Sequence, residues 1–313
     1  RDRHKGMARR HKLLTTNLTK IEFMDFKIID AHSHLWLHQD TSWNGMKIKT
    51  TENGRSFFLT EEVQMLPPFI IDGRNTAEIF LANMDYAQVA GAVVVQELID
   101  GIQNDYLEEV KRKYAERFFV FGMFDFFNGS PVRQVEELYG RGFRGIAIPG
   151  HRLILNDRRV YLNSPEMMEM FKLMERKGMI LSICLAENLQ QMDEIKEVIA
   201  ECPELKIAIG HFGMVTQPGW EEQIMLARNK NVYVESGGIT WLFNSEFYPY
   251  PSAVRAIREA IDMVGAEKLM WGSDYPRTIT AITYKMSYDF ILKTDVLTDK
   301  EKALFLGCLL YTS

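Results

Sequence analysis

Three observations predict an α/β fold for this chain, namely a single (β/α)8 barrel of the TIM type. Eight short, nearly continuous apolar runs alternate with segments of helical periodicity, as is typical of parallel strands that are buried on both faces. The length of 313 residues suits one barrel domain. A doubly wound open sheet is the alternative, but no GxGxxG motif follows an early strand, which disfavours it.

The predicted elements follow one another regularly along the chain. Strands are expected at residues 27–30, 92–96, 118–124, 143–148, 179–184, 205–209, 231–235 and 268–271. Helices are expected at residues 104–116, 132–139, 165–177, 189–200, 221–228 and 252–263, the last with Ser252 as a candidate N-cap. In a barrel of this class, chemistry takes place at the C-terminal face, where the strands end.

Two segments stand outside this alternation. Residues 1–20 carry seven lysines and arginines against one acid, and Met24 directly precedes the first strand. Residues 1–23 are therefore predicted to be a non-native or disordered extension of a barrel domain at residues 24–313. Residues 36–78 form a long segment after strand one, and loops of this length are usually functional or disordered. Because this segment is rich in apolar residues, we expect an insertion that folds over the barrel mouth.

The composition narrows the classes of function. Apolar residues make up 46% of the chain and charged residues 25%, which is ordinary for a soluble enzyme with a small-molecule substrate. A net charge of −5 argues against nucleic acid as the main partner. No apolar run approaches the roughly 18 residues of a membrane span. The three cysteines lack CxxC spacing, which favours a reducing, cytoplasmic location. Apolar loops at the mouth would also suit a homodimer.

A His-x-His pair closes the first strand. His32 and His34 stand two residues apart, and alternate residues of a strand point to the same face. The two imidazoles can therefore share one metal ion, and imidazole nitrogen suits Zn, Fe, Ni and Cu. Further polar residues follow other strands, so that six of them fall on one rim: His32, His34, Cys184, His211, Glu235 and Asp274.

Each of these residues also has a purely structural interpretation. A histidine can be a hydrogen-bonded core residue, Asp274 can cap a helix, and a buried cysteine is most often inert. Because several such residues converge on one rim, the site interpretation is favoured for His32, His34, His211 and Asp274. For Cys184 both interpretations stay open.

The order of three motifs resembles the amidohydrolase superfamily, in the amidohydrolase-related (amidohydrolase 2) branch that includes decarboxylases and lactonases. The motifs are HxH after strand one, GHFG at residues 210–213 and WGSDYPR at residues 271–277, and the resemblance covers roughly residues 25–307. It implies a barrel that holds one divalent metal, most simply Zn²⁺ with Mn²⁺ as an alternative. The implied ligands are His32, His34, Asp274 and a strand-five residue, which is often histidine in this family but is Cys184 here.

Four further residues are candidates for contact with the substrate. His151 follows strand four, and Arg277 can grip a carboxylate in a bidentate manner. Trp241 belongs to an aromatic cluster after strand seven, which is either a pocket wall or an apolar plug. Trp36 follows the His-x-His pair and lies in the predicted insertion.

The favoured function is metal-dependent hydrolysis of a small lactone, ester or amide. A bound metal would activate water, Asp274 would accept its proton, and His211 would donate a hydrogen bond to the oxyanion. The same residues could serve non-oxidative decarboxylation of an aromatic or unsaturated carboxylic acid. A catalytically silent barrel is the third alternative. The motifs disagree, because Trp36 resembles the lactonases whereas Asp-Tyr-Pro resembles the decarboxylase-containing group.

Overall fold

The computed structural model describes residues 26–58, 60–307 and 310. The predicted extension at residues 1–23 lies outside these residues. In the described part, each of the eight predicted barrel strands is present. The strands in chain order are β1 (Ile28–Ser33), β2 (Asp40–Trp43), β3 (Met46–Thr50), β4 (Arg55–Phe58), β5 (Glu61–Gln64), β6 (Val89–Val94), β7 (Phe118–Val120), β8 (Gly145–Ile148), β9 (Ile180–Ile183), β10 (Lys206–Ile209), β11 (Val232–Glu235) and β12 (Leu269–Met270).

Parallel pairing closes eight of these strands, β1 and β6 to β12, into a barrel. β1, β6 and β7 pair in that order, and β8 to β12 pair consecutively in a second sheet. A bridge between Gly122 and Ile146 joins the two sheets on one side. On the other side the amide of Ala31 donates to the carbonyl of Trp271 at 2.9 Å. The predicted fold class, an α/β barrel of the TIM type, is confirmed.

Helices alternate with the strands around the outside of the barrel. They are α1 (Ala77–Tyr86), α2 (Asn104–Lys113), α3 (Pro131–Gly140), α4 (Pro165–Arg176), α5 (Met192–Glu201), α6 (Trp220–Met225), α7 (Ile239–Leu242), α8 (Pro251–Val264), α9 (Met286–Lys293) and α10 (Asp299–Gly307). The prediction of Ser252 as an N-cap was wrong, because Pro251 already begins α8 and Tyr250 is its N-cap. Proline is favoured at the first helical position, where no amide donor is needed.

Two apolar clusters hold the barrel together. The larger one lies between the strands and the helices, and α4 illustrates it by burying Met167, Met170, Phe171 and Met174 along one stripe. The smaller cluster takes residues from most of the strands and fills the barrel interior. Its members from the strands and their ends are Ala31, Val93, Val95, Phe121, Ala147, Ile180, Ala208 and Met270.

The segment at residues 36–78 contains a four-stranded antiparallel sheet in the order β2-β3-β4-β5, which we call the insertion sheet. Phe58 and Met65 from this segment line a cavity of about 640 Å³. Trp36 is fully buried, and its indole nitrogen donates to the carbonyl of Gly73 at 3.1 Å. No helix of the described residues is both long and apolar enough to cross a membrane.

Candidate active site

His32 and His34 face one another at the C-terminal end of β1. Their side chains are almost completely buried, and their Nε2 atoms lie 3.1 Å apart. The strand alternation brings both imidazoles to the inside of the barrel mouth, as the sequence predicts. The pair is therefore close enough to contact one ion.

Asp274 joins this pair from the loop that follows β12. Its Oδ1 lies 3.1 Å from Nε2 of His34 and 3.6 Å from Nε2 of His32. Its Oδ2 accepts a hydrogen bond from the indole of Trp241 at 2.8 Å. Asp274 adopts a left-handed backbone conformation with φ of 56°, which is uncommon for residues other than glycine and often marks a functional site.

The outer partners of both histidines decide which nitrogen faces the cluster. Nδ1 of His32 lies 2.7 Å from Oε1 of Glu235, and Nδ1 of His34 lies 3.2 Å from Oδ2 of Asp100. Since an ionised carboxylate only accepts hydrogen bonds, both Nδ1 atoms carry hydrogen, which leaves Nε2 of each ring as the atom that can ligate a metal ion. With Oδ1 of Asp274, three electron-pair donors then lie within 4.8 Å of one another. This donor set fits a divalent cation.

The pKa values of His34 and Asp274 also indicate that the cluster favours a cation. Burial alone would lower the pKa of His34, but contacts with Asp100 and Asp274 outweigh burial and raise that pKa to about 9. Burial alone would raise the pKa of Asp274, but the hydrogen bond to His34 and the neighbouring histidines hold it well below its usual range. The cluster therefore attracts positive charge, which a proton or a metal ion can supply.

His211 lies beside the cluster at the end of β10. Its Nδ1 donates to the carbonyl of Gly237 at 2.8 Å, and its ring centroid is 4.7 Å from that of His32. Burial and the nearby His32 lower the pKa of His211, which keeps the imidazole neutral. In that tautomer Nε2 is an acceptor, so the geometry favours an acid/base role over donation to an oxyanion.

Asp274 and His211 line a cavity of about 640 Å³, and His32 and His34 line a small neighbouring pocket that shares His211 and Arg277 with it. Of the predicted substrate contacts, His151, Arg277 and Trp241 line the cavity of about 640 Å³, whereas Trp36 packs against Leu66 and Ile70. His151 and Arg277 both already have an acidic partner. Nε2 of His151 lies 3.2 Å from Glu97, and Arg277 donates to Asp100 at 3.1 Å.

A sequence model described as amidohydrolase matches residues 29–307, which is most of the chain. The chain belongs to the amidohydrolase 2 family. A curated relative, the uncharacterized protein y4mH of Sinorhizobium fredii, is 26% identical over 271 residues, which cover 80% of this amidohydrolase and 86% of the relative.

Solved structures share the barrel of this amidohydrolase at low sequence identity. An amidohydrolase from Burkholderia multivorans with bound zinc is 15% identical with a TM-score of 0.66, covering 90% of this chain and 96% of that one. A protein described as a probable 2-pyrone-4,6-dicarboxylic acid hydrolase from Acinetobacter baumannii, with citric acid bound, is 18% identical with a TM-score of 0.64, covering 92% and 98%.

A 5-carboxyvanillate decarboxylase variant from Novosphingobium aromaticivorans has the same fold. It contains manganese and 3-methoxy-4-hydroxy-5-nitrobenzoic acid, and it is 16% identical with a TM-score of 0.59, covering 91% of this chain and 95% of that one. At these identities the likeness concerns the fold alone. Hydrolases and a decarboxylase therefore share the architecture of this amidohydrolase.

Glu235 connects two histidines of the candidate site, a role that the sequence did not reveal. Its Oε1 accepts from Nδ1 of His32 and from the backbone amide of His211, at 2.7 and 3.1 Å. Glycines make room for it, since a Cβ at Gly237 would lie 2.7 Å from Oε2 of Glu235 and one at Gly272 would lie 2.7 Å from Cβ of His32. Its position at the end of β11 was the available signal.

Cys184 lines the same cavity at the end of β9, where the sequence predicts a strand-five ligand. In the described part of the chain, the group of potential ligands within 4.8 Å of one another comprises His32, His34 and Asp274 without it. Burial and the charge of Glu235 raise the pKa of the thiol. A protonated thiol is a poor ligand, so ligation by Cys184 stays a prediction.

Proposed function

We propose that this amidohydrolase hydrolyses a small lactone, ester or amide with the help of one divalent metal ion, zinc or manganese. The observation that carries the proposal is the convergence of His32, His34 and Asp274 beside His211, with Asp274 and His211 lining the cavity. Bound zinc is present in one structural relative and manganese in another.

The metal, when bound, would lower the pKa of a water molecule and polarise the substrate carbonyl. Glu235 and Asp100 would hold the two histidines so that their Nε2 atoms face the ion, because each carboxylate lies at the opposite ring nitrogen. The backbone of Asp274 is fixed by donation of its amide to the carbonyl of His32 at 2.9 Å. These residues therefore need little rearrangement before the reaction.

Two residues are candidates for the proton transfer. Asp274 has one oxygen directed at the two histidines and the other accepting from Trp241, so both oxygens already have partners. His211 has its Nδ1 committed to Gly237, which leaves Nε2 available to accept a proton. We assign acceptance of the water proton and its delivery to the leaving oxygen or nitrogen to His211. Asp274 then orients the water and completes the ligand set.

Decarboxylation is the second candidate function, and Arg277 is the observation that favours it. Nε of Arg277 is buried and has no hydrogen-bond partner among the described residues, so it can receive a substrate carboxylate. Hydrolysis is still favoured, because the guanidinium groups at the cavity are partly neutralised. Arg277 pairs with Asp100, and Arg152 pairs with Glu97 at 3.1 and 3.3 Å.

A substrate panel separates the two reactions. Zinc-loaded protein is given lactones, esters, amides and aromatic carboxylic acids, while a pH indicator follows acid release and a coupled assay follows CO₂. Acid release from a lactone, ester or amide with kcat/KM above about 10⁴ M⁻¹s⁻¹, the lower end of ordinary enzyme efficiency, supports hydrolysis. Release of CO₂ alone would replace the hydrolase by a decarboxylase, and no turnover of any compound would favour a silent barrel.

A further inference from the structure

A chain of buried polar side chains runs from the insertion sheet to the ligand His34. We propose that Asp100 is a positioning residue for His34 and that Gln39, from the insertion, holds Asp100 in place. This inference rests on the proposed metal site. It assigns to the insertion a role in metal binding, in addition to its contribution to the cavity wall.

Asp100 meets His34 on the side away from the cluster. It ends the single helical turn Leu98–Asp100 after β6 and is 2% exposed. Its Oδ2 lies 3.2 Å from Nδ1 of His34 at ion-pair distance, and neither atom has a hydrogen-bond partner among the described residues, so each has only the other to satisfy it. A carboxylate in this position fixes the ring orientation and leaves Nε2 directed at the ion.

Gln39 connects Asp100 with the insertion sheet and is 1% exposed. Its Nε2 donates to Oδ1 of Asp100 at 2.8 Å. Its Oε1 accepts from the hydroxyl groups of Thr50 in β3 and Ser56 in β4, at 3.0 and 2.8 Å. Because a carboxylate needs donors, Nε2 must face Asp100, and this fixes the orientation of the amide.

The other side of Asp100 is held by the barrel. Nη2 of Arg277, in the loop after β12, donates to the same Oδ1 at 3.1 Å. Asp100 is therefore clamped between the insertion and the barrel, while its remaining oxygen faces His34. Loss of Gln39 removes one of the two donors, so that Asp100 can rotate and the direction of His34 is no longer fixed. We expect weaker metal binding as a result.

The test compares Asp100→Asn and Gln39→Leu with a matched control in the turn between β3 and β4. In the control, Thr51→Val, the lost hydroxyl donates to Glu62 at 2.8 Å and does not touch Gln39. Zinc affinity is measured by competition with a chromophoric chelator. Partners of metal ligands typically contribute about 10–100-fold in affinity, so we expect that loss for Asp100→Asn and roughly tenfold for Gln39→Leu. The control should stay within about twofold of the wild type.

A second measurement uses the metal-free protein. With ¹⁵N-labelled histidine, the Nδ1 proton of His34 should resonate far downfield, because it faces the Asp100 carboxylate at 3.2 Å between the heavy atoms. Asp100→Asn should move this resonance upfield, whereas Thr51→Val should leave it unchanged. A His34→Gln variant, in which the resonance is absent, provides the assignment. This measurement keeps the proposal testable if Gln39→Leu does not fold.

The outcomes separate this proposal from the proposed function. Wild-type zinc affinity and an unchanged resonance in Asp100→Asn would overturn the positioning role. If the wild type binds zinc no better than His34→Gln does, the proposed metal function fails. In that case the resonance in the metal-free protein decides by itself whether Asp100 positions His34.

Discussion

Replacement of Asp274 by asparagine keeps the shape of the side chain but removes its charge and one acceptor. The structure shows why neither amide orientation is tolerated. An amide nitrogen in place of Oδ2 would meet the indole N–H of Trp241, which now donates at 2.8 Å. An amide nitrogen in place of Oδ1 would direct N–H groups at the position beside Nε2 of His34 where the proposed metal requires an electron-pair donor.

The expected loss can be derived from these contacts. Removal of a group that orients the reacting water and completes the ligand set should reduce kcat by about 10²–10⁴-fold, a loss as large as that expected for the general base His211 that depends on this orientation. That range corresponds to about 2.7–5.4 kcal/mol at 1.36 kcal/mol per tenfold. Trp241→Phe removes only the donor to Oδ2. A hydrogen bond to a charged group contributes about 1.5–3 kcal/mol, so we expect a loss of about 10–150-fold for this variant.

Steady-state kinetics on the best lactone, ester or amide of the panel provides the assay. Asp289→Asn is the matched control, because it makes the same chemical change in α9, where Asp289 accepts from the hydroxyl of Tyr248 at 3.0 Å. Metal content is measured in parallel, so that a loss of ion is distinguished from a loss of chemistry. Wild-type kcat in Asp274→Asn, with metal bound, would refute the reasoning.

Three further outcomes are expected. If Cys184 is a ligand, Cys184→Ser should lose metal more easily to a chelator and Cys184→His should retain it better, whereas unchanged metal content in both would make it a packing residue. Glu235→Gln should lower metal affinity by about 10–100-fold through its contact with His32, as measured by chelator competition, and equal affinity would exclude this role. Phe80→Ala, beneath the loop that carries Asp274, should lower the free energy of unfolding by about 3–5 kcal/mol, because Phe80 is fully buried and stacks on Tyr275. Denaturant titration measures this change, and a loss below about 1 kcal/mol would show that the site collapses around the cavity.

The sequence was sufficient to predict the barrel strands, because each of them is an apolar run with a clear boundary. The sequence was not sufficient to predict the strands of the insertion sheet. β2 to β5 are short, mostly exposed or partly buried, and lack a continuous apolar run. The apolar content of residues 36–78 predicted that the segment folds over the mouth. Its antiparallel pairing depends on contacts that periodicity alone does not reveal.

For the candidate site, strand ends were the informative signal. They placed His32, His34, His211 and Asp274 on one rim before any geometry was known. They did not reveal Asp100, because it lies in a turn several residues beyond β6 and acquires its role through partners that are distant in sequence. For Trp36 the position in the sequence suggested more than the structure shows. It stands beside the His-x-His pair, which suggested substrate contact, but its side chain packs against Leu66 and Ile70.

Metal content per chain tests the central claim most directly. Protein is stripped with a chelator, reloaded with zinc, dialysed and analysed by elemental mass spectrometry beside a His32→Ala variant prepared in the same way. The account predicts one zinc ion per wild-type chain, as expected for a single site built from three protein ligands, and almost none in the variant. Full turnover of a lactone, ester or amide by wild-type protein that retains no metal would contradict it.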